Sequence, residues 1–289
     1  MQKLKNSIVD KMIAARLTSN EIDFLIYVSR FQNDDGRVSG IHYKEVCEAM
    51  NMSYQGFYDV KNSLEEKGFI SSEKSNRIDH DITILNNGFR SEDDVKEGYI
   101  NTNHNMFYRE DFFALKAGAK LLAMHMMKVT FAGKGSFDIG VDTFYDEKTG
   151  FPKRFGVSKR VMRNYLMQLK AFFSIGIKDK KYFITPKRIV YRTARQASEV
   201  DNYRNHNVEV ICRRNRIKDA GAKEKHDINE LMRMYKKEAL AAHMDVMELV
   251  RKAVERSLEV LNINEERIVN RVLKPKLVHK IMRQELGLA

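Results

Sequence analysis

The chain has 289 residues, 43% of them hydrophobic, and a formal net charge of +12. Apolar content of that order builds ordinary cores over two or three domains, which excludes a disordered chain. The two cysteines, Cys47 and Cys212, are too few and too far apart in sequence for a disulfide framework or a thiolate zinc site.

The opening residues lack the apolar core of an export signal, and no stretch approaches the roughly 18 uncharged apolar residues of a spanning helix. The expected location is the cytoplasm, associated with the nucleoid, with no membrane partner. Charge is unevenly distributed: residues 1–107 carry 13 Lys+Arg against 17 Asp+Glu, whereas residues 108–289 carry 38 against 22. The basic field of the second part attracts polyanions, and nucleic acid gains affinity by releasing counterions to such a field.

Along the chain, Thr18 and Glu21 have capping-box spacing, and Ile22, Leu25, Ile26 and Val28 give an apolar side to a helix ending near Asn33. After Gly40 a shorter helix turns Val46, Cys47 and Met50 inward. A third helix is capped by Ser53 and closed by Gly68. Its outward positions are Tyr54, Gln55, Tyr58, Lys61 and Asn62, side chains suited to base edges and phosphates. Phe69 and Ile70 start a strand, Lys74, Ser75 and Asn76 turn it, and Ile78, Ile82 and Ile84 alternate on the way back.

Residues 87–106 are polar and turn-rich, as a linker is. A long helix then carries Leu121, Leu122, Met124, Met126 and Val129, with His125 as a core histidine within it. DEKTG at 146–150 reads as a turn. Ser158 caps a further helix that buries Met162, Tyr165 and Leu169 and turns Lys159, Arg160, Arg163, Asn164 and Gln168 outward. Arginine forks suit guanine or phosphate, and amides suit adenine. Ile175 and Ile177 lead into a hairpin with Lys178, Lys180 and Lys181 at its tip, closed by Pro186.

The Ser158 helix repeats the Ser53 helix: each serine is followed by apolar residues at offsets 4, 7 and 11 and by an isoleucine at 17. Two helix-into-hairpin units of this kind predict an α+β chain, mainly α with small β-wings. The expected order is a first winged helix-turn-helix module at 1–86, a linker at 87–106 and a second module at 107–188. A basic connector at 189–225 carries Arg192, Arg195, Arg204, Arg213, Arg214 and Arg216, and a C-terminal helical domain follows at 226–289. In that domain Asp227 is the expected first cap. Met247, Val250, Val254, Leu258 and Leu261 step at coiled-coil spacing, for bundle packing or a homodimer seam. Asn264 is the expected cap of a third helix, and Pro275 opens the last.

No catalytic constellation or cofactor motif is evident, so a non-enzymatic protein is expected. FAGKGSF at 131–137 has Lys128 where a phosphate loop needs glycine, and Asp142, Asp146 and Glu147 miss calcium-loop spacing.

The second module resembles the initiator family of Gram-positive plasmids, among the replication initiators of plasmids and phages. FYREDFFALKAGAKLLAMHM at 107–126 is similar to its opening strand and helix, FYDEKTG at 144–150 to its Asp-Glu turn, and GVSKRVMRNYLMQLK at 156–170 to its recognition helix. The resemblance implies a sequence-specific double-stranded DNA-binding protein, a replication initiator or transcriptional regulator, in which one winged helix can dimerise while another holds DNA. The alternative is an assembly adaptor for helicase loading or partition, engaging a replication or partition protein through residues 226–289.

Overall fold

The twin serine spacing folds into two similar runs of elements, the second with one more short helix than the first. The computed structural model describes residues 2–75, 79–132, 135–191 and 202–288. In the first repeat, the Thr18 side chain and the Glu21 carboxylate form a reciprocal cap on α2 (Ser19–Ser29). Then follow β2 (Arg37–His42), α3 (Tyr43–Met50), α4 (Tyr54–Glu66), β3 (Ile70–Lys74) and β4 (Asp79–Ile84). In the second, α7 (Ala117–Ala132) leads to β6 (Phe137–Gly140), α8 (Val141–Phe144), α9 (Phe151–Phe155), α10 (Lys159–Gln168), β7 (Phe173–Lys178) and β8 (Lys181–Pro186). Each repeat closes a three-stranded antiparallel sheet in which the last strand is central, in the orders β2-β4-β3 and β6-β8-β7. Asn76, Ile78, Arg192 and Arg195 lie outside the described residues, as do Gly133 and Lys134 of the FAGKGSF segment.

The strands β2 and β6 do not follow from the sequence reading. Strand β2 is broken by a register shift between Val38 and Ile41, at Ser39-Gly40, so its apolar residues do not alternate. Strand β6 is four residues long.

Residues 87–106, expected as a linker, are part of the same unit. They carry α5 (Glu92–Lys96) and β5 (Tyr99–Asn101), and β5 pairs antiparallel with β1 (Lys3–Lys5). Asn87 is fully buried: its Oδ1 accepts from Lys5 N at 2.9 Å, and its Nδ2 donates to Lys3 O at 2.9 Å and Gln32 Oε1 at 2.8 Å. At Asn87 the polar side chain satisfies buried backbone, while residues 90–97 stay largely exposed. The helix α1 (Asn6–Ala14) buries Ile8, Val9, Met12 and Ile13 and packs on α7 and α9. One continuous core thus runs from Leu4 to Val190 through both repeats, within the compact unit Met1–Val200. The opening strand expected near Phe107 is absent; residues 105–108 form a 3-10 turn, followed by the short α6 (Glu110–Phe113).

At the centre of this core, α2 meets α7. Lys120 is fully buried, and its Nζ lies 2.5 Å from Asp23 Oδ2. Burial pushes the lysine pKa down and the aspartate pKa up, and each partner's charge opposes that shift. Arg30, also on the α2 side, donates to Phe107 O at 2.9 Å and stacks over the Tyr108 ring at 3.9 Å.

The second unit, Asp201–Ala289, has its own core. It contains α11 (Asn202–Arg214), α12 (Ala222–Met234), α13 (Lys236–Ala241), α14 (Val246–Leu261) and α15 (Pro275–Glu285). Helix α12 begins after Gly221, so Asp227 lies inside it rather than capping it. Val250, Val254 and Leu258 are buried within this unit, where α14 packs on α12 and α15. Asn264 caps nothing: residues 263–274 contain no helix. The buried Asn262 instead ties them into a loop, its Oδ1 accepting from Val269 N at 3.0 Å and Asn270 N at 2.7 Å. Among the described residues no helix is long and apolar enough to cross a membrane.

Removing one member of a buried ion pair strands the other charge, at about 3–5 kcal/mol, whereas replacing both with apolar residues is often neutral. Lys120→Met is therefore expected to lower unfolding stability in urea by about that amount, and Lys120→Met with Asp23→Leu to recover most of it. Equal losses for the single and double variants would contradict this account.

Candidate nucleic-acid interface

Helix α10 is set on the unit by three features of its sequence. Gly156 ends α9 in the left-handed region, with φ 63°, and Ser158 Oγ then accepts from Val161 N at 3.3 Å to cap α10. Met162, Leu166 and Leu169 are buried, and the Tyr165 ring packs directly against Gly118 of α7, where any Cβ would collide with it. The helix therefore lies close against α7, with its other face outward.

That outer face carries Lys159, Arg160, Arg163 and Asn164, all exposed. Lys159 lies 3.1 Å from Glu147 Oε1, and the Arg163 guanidinium sits 5.3 Å from the centre of the Tyr145 ring. Arg160 and Asn164 have no partner among the described residues. Gln168 is half-buried. The β7–β8 hairpin turns on two residues, Asp179 and Lys180, both at positive φ (49° and 58°), the tightest reversal a right-twisted ribbon accepts. It holds Lys178, Lys180 and Lys181 exposed, with Lys181 Nζ 3.8 Å from Asp138 Oδ2.

Beside the N-terminus of α10 is a cleft of about 530 Å³ lined by Arg16, Lys153, Lys159, Ser158 and Glu147. Arg16 comes from the corner between α1 and α2, and its guanidinium covers Gly156, leaving no room there for a Cβ. Three cations from three elements thus face one carboxylate, where the helix N-terminus adds partial positive charge. Residues 108–191 hold 17 Lys+Arg against 7 Asp+Glu. Arg16 and Lys153 were not legible as site residues, because the Arg16 contact spans 140 positions of chain and no local pattern marks it.

The corresponding face of α4 is different. Ser53 caps the helix, accepting from Gly56 N at 3.1 Å, and Phe57, Val60 and Leu64 are buried. Tyr54, Gln55 and Asn62 are exposed, but the Gln55 amide donates to Asp59 at 2.7 Å. Tyr58 is half-buried in an aromatic row that runs Tyr43–Tyr54–Tyr58–His80, with ring centres 4.8–5.9 Å apart. A hydrogen bond with Tyr54, then burial, pushes the Tyr58 phenol up to about 12.

Lys61, expected outward, is instead buried: its Nζ lies 2.7 Å from Glu65 Oε2 and 3.1 Å from Ser72 Oγ. Four positions beyond Phe57 and three before Leu64, it falls on the buried stripe. The twin spacing carried this signal, since the residue equivalent to Lys61 in the second copy is Leu166, also buried.

His125 anchors the helix that precedes α10. It is buried against the Phe151 ring at 5.3 Å, with Nε2 3.5 Å from Arg154. Arg154 and Lys128 both pair with Asp10 of α1. Burial, then the Arg154 and Lys128 charges, push the imidazole pKa down to about 3, with Asp10 opposing. Among the described residues there is no group of three or more His, Cys, Asp or Glu able to hold a metal ion.

Because the folded-state pKa of His125 lies below its unfolded value near 6.5, the unfolded chain takes up the proton first as pH falls. Stability should decline from about pH 6.5 toward pH 3, one such proton contributing up to about 1.4 kcal/mol per pH unit. His125→Gln should flatten this part of the profile, measured by urea unfolding between pH 4 and pH 7, taken as roughly the window in which histidine titrates. An unchanged slope would remove His125 as its source.

No family model matches the chain, and no curated protein or solved structure is similar to it.

Proposed function

We propose that the two repeats are winged-helix modules and that the chain is a sequence-specific double-stranded DNA-binding protein, a replication initiator or transcriptional regulator. The observation that carries this reading is the set of exposed cations on and after α10 and beside its N-terminus: Arg160 and Arg163 on the helix, Lys178, Lys180 and Lys181 on the β7–β8 hairpin, and Arg16 and Lys153 at the cleft. In this reading α10 enters the major groove, Arg163 and Asn164 meet base edges, and the flanking lysines and Arg16 hold phosphates. Ser158 serves by capping the helix and Lys159 by its place at the rim of the cleft.

The first module takes a second role, as the surface for a protein partner, because α4 presents Tyr54 and Asp59 with no free cation and Lys61 is neutralised by Glu65. The helical unit from 201 onward would serve assembly, with a second copy or with a replication or partition protein.

The test is selection of bound duplex from a randomised pool, followed by affinity against salt. Binding should weaken steeply, and Lys178→Ala with Lys180→Ala should reduce the slope of log K against log salt by about 2, two phosphate contacts being lost. Arg160→Ala with Arg163→Ala should bring affinity for the selected and random duplexes together. Retained selectivity in that variant would sink the assignment of α10, and a partner complex that survives high salt without any duplex binding would favour the adaptor role for the whole chain.

A further inference from the structure

The two arginines on the outer face of α10 are held differently. Arg160 has no partner among the described residues. One turn later, the Arg163 guanidinium lies over Tyr145, the residue that ends α8. Tyr145 is itself enclosed by packing: it is 7% exposed, its ring meets Phe144 edge-on at 4.9 Å, and its hydroxyl lies 3.3 Å from the Tyr182 hydroxyl. Tyr182 is buried in β8, the central strand of the second sheet, paired with Ile139 on one side and Ile177 on the other. Burial and Tyr182 push the Tyr145 phenol up, and Arg163 pulls it back down. A chain of contacts therefore runs from the sheet through two tyrosines to one arginine.

A planar guanidinium fixed before binding loses less rotamer freedom when it docks on the paired acceptors of guanine, whereas a free one adapts to whichever phosphate is near. Resting on the DNA-binding reading, we propose that Arg163 is the base-reading arginine of α10, that Tyr145 and Tyr182 are positioning residues that hold its fork, and that Arg160 serves phosphate. The hairpin then has two tasks, its lysines touching the backbone and its Tyr182 aiming a side chain on the neighbouring helix.

The first measurement needs no DNA. Relaxation of the arginine side-chain Nε–H groups by NMR in the free protein should show Arg163 ordered and Arg160 mobile, and Tyr145→Leu should release Arg163. If Arg163 is as mobile as Arg160 in the wild type, the positioning role is wrong whether or not the protein binds DNA.

The second uses the duplex selected from the randomised pool. Arg163→Lys keeps the charge but loses the fork and should relax preference at one base pair by roughly tenfold or more. Tyr145→Leu should relax preference at that same base pair by roughly three- to tenfold. Tyr182→Phe should have a smaller effect there. Tyr145→Phe, which keeps the ring under Arg163 but loses the same hydroxyl contact, should match Tyr182→Phe, and Arg160→Lys should leave the preference unchanged. Affinity for random duplex and its salt slope should be unaltered in all of them. A uniform loss of binding to every sequence in Tyr145→Leu, or relaxation at a base pair other than that of Arg163→Lys, would overturn the proposal. Should Tyr145→Leu fail to fold, Tyr182→Phe and Arg163→Lys carry the same comparison. An ordered Arg163 in a protein that selects no duplex would fault the DNA reading and leave the side-chain geometry standing.

Discussion

Lys120 lies wholly inside the first unit, and its ammonium reaches Asp23 on the leading helix of the other repeat. A charge in that position cannot slide along an apolar face as a leucine can, because displacement by one position leaves two buried charges apart. The pair thereby fixes the register of α7 on α2. Around it α1 closes on α7 and α9, and the core becomes continuous from Leu4 to Val190. The consequence for the surface is direct. Once the repeats share a core, Arg16 of one can lie over Gly156 of the other, and the cleft beside α10 is built from both.

What the sequence made legible was local. The serine caps, the stripes at offsets 4, 7 and 11, and the hairpins are each set by residues within about twenty positions of one another, where periodicity has physical force. What it concealed was held at long range. Asn87 and the segment after it read as solvated because they are polar, yet Asn87 spends its hydrogen bonds on Lys3, Lys5 and Gln32 across the unit. Strands β2 and β6 were hidden by a register shift and by brevity. Tyr145 fell within a stretch readable only as a turn, and its two partners, Arg163 and Tyr182, stand on other elements.

The second unit gives the same lesson in helices. The 3-4-4-3 spacing of α14 is consumed inside the unit, where Val250, Val254 and Leu258 are buried. A seam of that spacing names a buried stripe and leaves open which helix covers it. Asn264 offered good cap chemistry, but Asn262, two residues earlier, forms four hydrogen bonds that bind the loop to itself and to the end of α14. A satisfied buried amide outweighs a favourable cap at the surface.

The two copies also explain each other when placed in register by their caps, Ser53 on Ser158. Leu64 then falls on Leu169 and Phe57 on Met162, and Lys61 falls on Leu166, all six of them buried. The inward positions are thus shared, with one lysine substituted whose charge Glu65 neutralises. The outward positions diverge. Tyr54, Gln55, Tyr58 and Asp59 stand where the second copy has Lys159, Arg160, Arg163 and Asn164. Every cation of the α10 face is replaced on α4 by a neutral side chain, and the one amide by a carboxylate. An anion approaching α4 from the side that corresponds to the cationic face of α10 would meet Asp59 in place of a cation. The common core therefore holds two helices that share an inward pattern and differ on their outward faces, cationic on α10 and aromatic with one carboxylate on α4.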